Sequence, residues 1–120
     1  MGEINGTQVA GIARGTSGHT KTAKIVSCYN TGNLNATNKF GICHNNGVVY
    51  NSYYLETCGA TDSIEMSRSE GDLKTLASTL DKSFTIDDEQ NTVTINEESQ
   101  EIWTEDTNNI NKGYPILKWQ

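Results

Sequence analysis

Ile25-Val26-Ser27-Cys28-Tyr29-Asn30-Thr31-Gly32 and Val49-Tyr50-Asn51-Ser52-Tyr53-Tyr54-Leu55 are two versions of one phrase. Each follows a Gly-Ile-small tripeptide, Gly11-Ile12-Ala13 in the first case and Gly41-Ile42-Cys43 in the second. Ile25 matches Val49, Cys28 matches Ser52 and Tyr29 matches Tyr53. The runs are β-prone, with β-branched and aromatic residues. A repeat of this size built from short strands is the mark of a solenoid. The expected fold is therefore mostly β. It comprises short parallel β-solenoid (β-helix-like) coils and a C-terminal cap containing one helix and short strands. The expected division is 3–56 for two repeat copies and 57–120 for the cap. Within the coils, Tyr29 should lie beside Tyr53 and Ile25 beside Val49, in parallel strands.

The first copy is longer between its tripeptide and its second run. A solenoid exports such extra residues to a surface loop, so residues 15–22 are expected to protrude. Asn30-Thr31-Gly32-Asn33 and His44-Asn45-Asn46-Gly47 read as turns. Leu34 to Lys39 reads as a polar connection. Ile25, Ser27 and Tyr29 would share one face of a strand, with Val26 and Cys28 on the other. The pattern does not say which face is inward.

The repeat stops at Glu56, and the period then changes. Leu73, Leu76, Ala77 and Leu80 fall at i, i+3, i+4 and i+7, the stripe of an amphipathic helix of about three turns. Ser67 or Ser69 would cap it, and Glu70 and Asp72 suit its N-terminal dipole. Phe84-Thr85-Ile86 and Thr92-Val93-Thr94-Ile95 read as a hairpin around residues 87–91. Trp103 and Trp119 are expected to pack with the leucine stripe against the end of the coil, covering edges that terminal repeats otherwise expose.

Composition narrows the function classes. The chain has 120 residues, of which 34% are hydrophobic, fewer than the roughly 45–50% of an ordinary globular domain. That suits a thin, layered core. The net charge of −6 excludes a nucleic-acid partner, which needs clustered Lys and Arg. No run approaches the roughly 20 apolar residues of a membrane span, and no apolar segment follows Met1-Gly2-Glu3 to make a signal peptide. The abrupt start inside repeat-like sequence reads as a fragment whose export signal and anchor lie elsewhere. Cys28, Cys43 and Cys58 are an odd set, so at least one is unpaired. Cys28 aligns with Ser52 and Cys43 with Ala13, positions that ask for a small side chain. All three are expected to be free and dispensable.

The paired phrases, with Gly-Ile-Ala and Val-Val-Tyr-Asn-Ser-Tyr-Tyr-Leu, resemble the GLUG-motif repeats of bacterial surface proteins. The closing Ile-Trp-Thr-Glu-Asp and Asn-Lys-Gly-Tyr-Pro-Ile-Leu-Lys-Trp look like the segment that often ends such arrays. Residues 81–101 match only loosely, and Ala13 and Cys43 depart from the usual pattern. The resemblance implies a secreted or cell-wall-associated, adhesin-like protein of a Gram-positive bacterium. It implies no catalytic residues.

The residues themselves agree. Cys43 and His44 are chain neighbours, but neighbours on a strand point to opposite faces and cannot form a nucleophile–base pair. His19 reads as solvated. Asp87, Asp88 and Glu89, or Asp106, Asn108 and Asn111, could attract a cation, yet neither run fits a calcium loop. Tyr29 and Tyr53 read first as a structural ladder between coils; Tyr29, Tyr50, Tyr53 and Tyr54 read second as a stacking platform for sugars. No catalytic, cofactor-binding or metal residue is assigned. The expected role is a non-catalytic stalk or adhesion module. The alternative is a binding module for a glycan or host surface protein, using the loop or the tyrosine face. Adjoining repeats of a longer protein are the other expected partner.

Overall fold

The computed structural model describes residues 4–5, 8–12, 24–43, 49–60, 64–87, 89–90 and 92–120. The expected loop at 15–22, the turn at 44–47 and both histidines lie outside the described residues.

The two copies pair as their sequences ask. β1 (Ile4–Asn5) runs parallel to β5 (Leu34–Asn35), and β2 (Gln8–Ala10) to β6 (Asn38–Phe40). β3 (Ile25–Val26) runs parallel to β7 (Val49–Tyr50), with Ile25 opposite Val49. β4 (Tyr29–Asn30) runs parallel to β8 (Tyr53–Leu55), with Tyr29 opposite Tyr53. The repeat also begins earlier than the Gly-Ile tripeptides. Leu34 is not part of a polar connection but a buried strand residue. The matching phrases Ile4-Asn5-Gly6-Thr7 and Leu34-Asn35-Ala36-Thr37 carry that signal at the same spacing as Gly11 and Gly41.

The solenoid expectation is overturned. The strands of the copies are two or three residues long, and their sheets are two-stranded except for β4-β8-β9. Among the described residues no closed or continuous sheet wraps a coil. The chain is a small mixed α/β unit with several short sheets, parallel and antiparallel, and two short helices. Each expected strand is broken in the middle by a corner. Ser27 (φ 55°) and Asn51 (φ 47°) occupy equivalent positions in the left-handed region, which turns the chain between β3 and β4 and again between β7 and β8. Two copies with a corner in each run cannot build a long flat ladder.

The β4–β8 pair lies between two small cores, so neither of its faces is a solvent face. Leu34, Ile42, Cys43, Val49, Tyr54 and Cys58 form one, flanked by Ile25, Ala36, Ala60 and Met66. Leu73, Leu76 and Leu80 form the other, against which Tyr29, Tyr53, Leu55, Trp103 and Tyr114 pack. Neighbouring Tyr53 and Tyr54 thus point into different cores.

The expected single helix is two: α1 (Glu70–Lys74) and α2 (Ala77–Leu80). Ser69, not Ser67, is the cap; its hydroxyl accepts from Asp72 N at 3.2 Å. Ser67 lies instead in β9 (Ser67–Arg68), which adds parallel to β8. The break falls at Thr75, whose hydroxyl donates to Asp72 O at 3.1 Å and whose N–H closes a tight turn on the same carbonyl. Such side-chain competition ends helices, and Gly71 weakens the first turn further. The tight turn keeps the stripe aligned, so Leu73, Leu76, Ala77 and Leu80 are all buried.

The hairpin forms as expected from β10 (Lys82–Asp87) and β11 (Thr92–Ser99). Asp87 Oδ1 accepts from Glu89 N and Gln90 N and shapes its turn. β12 (Trp103–Thr104) and β13 (Ile116–Leu117) pair antiparallel and close the chain.

The tryptophans part company. Trp103 packs on the leucine core, with its ring 5.7 Å from that of Tyr29. Trp119 is 75% exposed, which corrects its expected place in the cap core. It sits past the β12–β13 pairing, which ends at Leu117. Trp103→Ala is expected to cost about 2–3 kcal/mol, less than a fully buried aromatic. Trp119→Ala should stay within about 0.5 kcal/mol of the parent. Paired urea melts decide it: equal losses in the two variants would contradict the assignment.

Candidate functional site

The residues with the most chemical potential converge where the second half of the chain meets the repeat copies. Tyr29 is the first hub. Its hydroxyl donates to Pro115 O at 2.7 Å and accepts from Asn111 Nδ2 at 2.8 Å. Its ring stacks near Tyr114 at 6.4 Å. Burial raises its pKa, the Asn111 hydrogen bond opposes this, and Asp106 and Tyr114 add to the rise. The hydroxyl is therefore a neutral structural donor. Tyr53 donates to Asn51 Oδ1 at 3.0 Å and carries the Arg68 guanidinium 4.4 Å above its ring. Asn51 Nδ2 in turn donates to Thr79 O at 2.8 Å and to Ser27 Oγ. The tyrosine face is thus where the cap docks. Tyr54 is buried in the other core and Tyr50 is half-buried.

Asp81 is the second hub, and sequence reading missed it. It is 7% exposed. Oδ1 accepts from Ile102 N at 2.7 Å and Trp103 N at 2.8 Å, and Oδ2 accepts from the Ser99 hydroxyl. Its backbone carbonyl accepts from Gln100 N. Burial acts to raise its pKa. The Ser99 hydroxyl, the two N–H groups and the attraction of Lys118 together hold it below its ordinary value. The carboxylate is ionised and ties α2 to the far end of the hairpin. No local motif announces this, because the partners lie about twenty residues downstream.

Asp106 works the same way inside its own loop. Its oxygens accept from Ile110 N (2.7 Å), Asn111 N (2.6 Å) and Gly113 N (2.9 Å). Partial burial acts to raise its pKa, and these three bonds bring it below the ordinary value. Asn111 is committed to Tyr29, and Asn108 is exposed. The run 106–111 therefore directs its carboxylate oxygens at backbone amides. Asp87 spends its Oδ1 on its turn, and Asp88 lies outside the described residues. Among the described residues no group of three His, Cys, Asp or Glu side chains is placed to hold a metal ion, and no helix is long and apolar enough to cross a membrane.

No family model, curated protein or solved structure matches this chain. The reading of the site therefore rests on its geometry. An open cleft of about 460 Å³ lies beside the Asp81 hub, lined by Ser78, Trp103, Thr104, Glu105, Thr107 and Lys118 among others. Its most buried acid faces backbone N–H groups.

Cys28, Cys43 and Cys58 form no disulfide with one another. Cys43 is buried in the first core, and its chain neighbour His44 lies outside the described residues. Cys58 is 2% exposed in the same core. It ends a short 3₁₀ turn, Glu56–Cys58, closed by Gly59 in the left-handed region. Cys28 and Ser52 show what their shared position requires. Cys28 Sγ donates to Val26 O at 3.2 Å, and Ser52 Oγ donates to Tyr50 O at 2.9 Å. Each bond spans the corner at the residue just before it, Ser27 or Asn51. Ser52 Oγ also accepts from Cys28 N at 3.1 Å. The position thus asks for a small donor, not for small size alone. Burial raises the Cys28 pKa, opposed by the hydrogen bond to Val26, so this thiol is a poor nucleophile. Ser52→Ala, which strands the part-buried Cys28 N–H, should cost about 1–2 kcal/mol. Cys28→Ala should cost less than about 1 kcal/mol, because S–H is a weak donor. Denaturant melts that rank the two the other way would refute this account of the corner.

Proposed function

We propose that this chain is a non-catalytic structural or adhesion module of a secreted or cell-surface bacterial protein. One observation carries the reading. Among the described residues, the groups best able to do chemistry are committed to hydrogen bonds that hold the fold together. Asp81 and Asp106 accept backbone N–H groups, and Tyr29 bridges Pro115 and Asn111. An active site would hold such groups toward a substrate. The resemblance to GLUG-motif repeats supports the cell-surface assignment.

The geometry also supports adjoining repeats as a partner. Among the described residues β1, β2, β3 and β4 each end their sheet, as do β5, β6 and β7, and only β8 is covered, by β9. The first copy thus presents strand edges that a further strand-forming segment fits. Glycan binding through the tyrosines is the weaker reading, since Tyr29 and Tyr53 face the leucine core.

Fractionation of the cells that make the protein tests the location. Recovery in the wall or culture fluid is expected, and cytoplasmic recovery would overturn it. A glycan array tests the alternative. Specific retention that survives loss of the cap contacts would move the assignment to a sugar-binding module.

A further inference from the structure

The β10–β11 ribbon holds one apolar face outside both cores. Phe84 pairs with Ile95 and Ile86 with Val93, so all four side chains lie on one face. Thr85 pairs with Thr94 and Asp87 with Thr92 on the other. Ile86 is 46% exposed, and Phe84, Val93 and Ile95 are half-buried. Among the described residues none of the four belongs to, or packs against, either core cluster. A two-stranded ribbon with an open apolar face is marginal in water, and contiguous exposed apolar surface marks an interaction site.

The charge around this face selects the occupant. From Lys82 to Glu101 the sequence carries six carboxylates against one lysine, a net −5 out of the chain's −6. Lys82 is itself paired with Glu97 at 3.2 Å. The carboxylates stand at both ends of the apolar stripe, with Asp87 and Glu89 at the tip and Glu97 and Glu98 toward the base. A second copy would bring two such ribbons together against their repulsion. An anionic bilayer would be repelled in the same way. We propose that this face docks a partner polypeptide presenting an apolar strand flanked by Lys and Arg. Apolar contact supplies the affinity, and the acidic ends supply orientation and on-rate.

The test uses the full chain and a synthetic peptide of alternating valine and threonine flanked by lysine pairs, with a glutamate-flanked peptide as control. Fluorescence anisotropy should show binding of the lysine-flanked peptide only, weakening as salt rises. Ile86→Ser with Val93→Ser should weaken it at least about tenfold while the two cores stay folded by circular dichroism. Glu89→Lys with Glu98→Lys should reverse the preference between the peptides. Equal binding of both peptides by the parent would overturn the proposal. So would undiminished binding by the double serine variant, which would make the contact one of charge alone. Concentration-dependent dimerisation in sedimentation that the serine changes abolish would assign the face to a second copy instead. Retention on neutral phosphatidylcholine vesicles would assign it to a membrane.

Discussion

Asp81→Ala is expected to lose at least about 3 kcal/mol of stability, a large share of the 5–15 kcal/mol that holds an ordinary domain. The substitution leaves the Ile102 and Trp103 N–H groups and the Ser99 hydroxyl without their acceptor at a nearly buried position. Hydrogen bonds to a charged acceptor are worth about 1.5–3 kcal/mol each, and stranding buried donors adds to the loss. Asp81→Asn should cost less, about 1–2 kcal/mol, because an amide oxygen can still accept from the two N–H groups. The pH dependence separates the charge from the shape. The folded pKa of Asp81 lies below its ordinary 3.8, so its contribution is fully present above the unfolded pKa. It fades as pH falls through the folded value, where the unfolded chain already binds the proton. Asp106 has the same sign, so some acid sensitivity survives in Asp81→Asn, with a shallower slope. Urea melts from neutral pH downward measure this. An Asp81→Ala variant as stable as the parent, or an Asp81→Asn variant with the parent's acid slope, would show that the hub does not hold the segment.

The second large effect concerns Gly41. Neither Gly41 nor Gly11 has positive φ; among the described glycines only Gly59 and Gly113 do. The repeated glycine is there for space. A Cβ on Gly41 would fall inside the Tyr54 ring, and one on Gly11 would strike the Asn30 side chain and the Gly41 carbonyl. Tyr54 and Asn30 are equivalent positions in the two copies, 1% and 0% exposed. Asn30 donates to Gly41 O at 3.2 Å and accepts from Gly32 N at 2.9 Å. Overpacking against a rigid ring commonly costs about 1–3 kcal/mol and more when nothing can yield. Gly41→Ala should sit at the top of that range, about 3 kcal/mol. Tyr54→Ala should cost about 3–5 kcal/mol as a buried aromatic truncation. The double variant should then be little worse than Tyr54→Ala alone, because the alanine methyl enters the vacated space. That non-additivity is a coupling of up to about 3 kcal/mol. Additive losses would show that the glycine serves the backbone and not the ring.

The resemblance between the copies determined the parallel pairing, because Ile25–Val49 and Tyr29–Tyr53 match at one spacing and a strand pair keeps its register when equivalent side chains need equivalent surroundings. The leucine stripe determined a buried helical face, and alternation over 84–86 and 92–95 determined the hairpin. These are local patterns, and local sequence is where they are written. The tertiary structure decided the rest. It split the repeat strands at Ser27 and Asn51; asparagine favours the left-handed backbone, but serine at the equivalent position does not announce it. It covered the β4–β8 pair on both faces, which is why alternation there could not name an inward side. It buried Cys58, exposed Trp119, and recruited Asp81 to amides about twenty residues away. Each depends on which segment arrives opposite which. Periodicity along a chain fixes the face an element offers, but only the assembled fold fixes what meets it, and here that meeting turned two solenoid-like copies into a small mixed α/β unit.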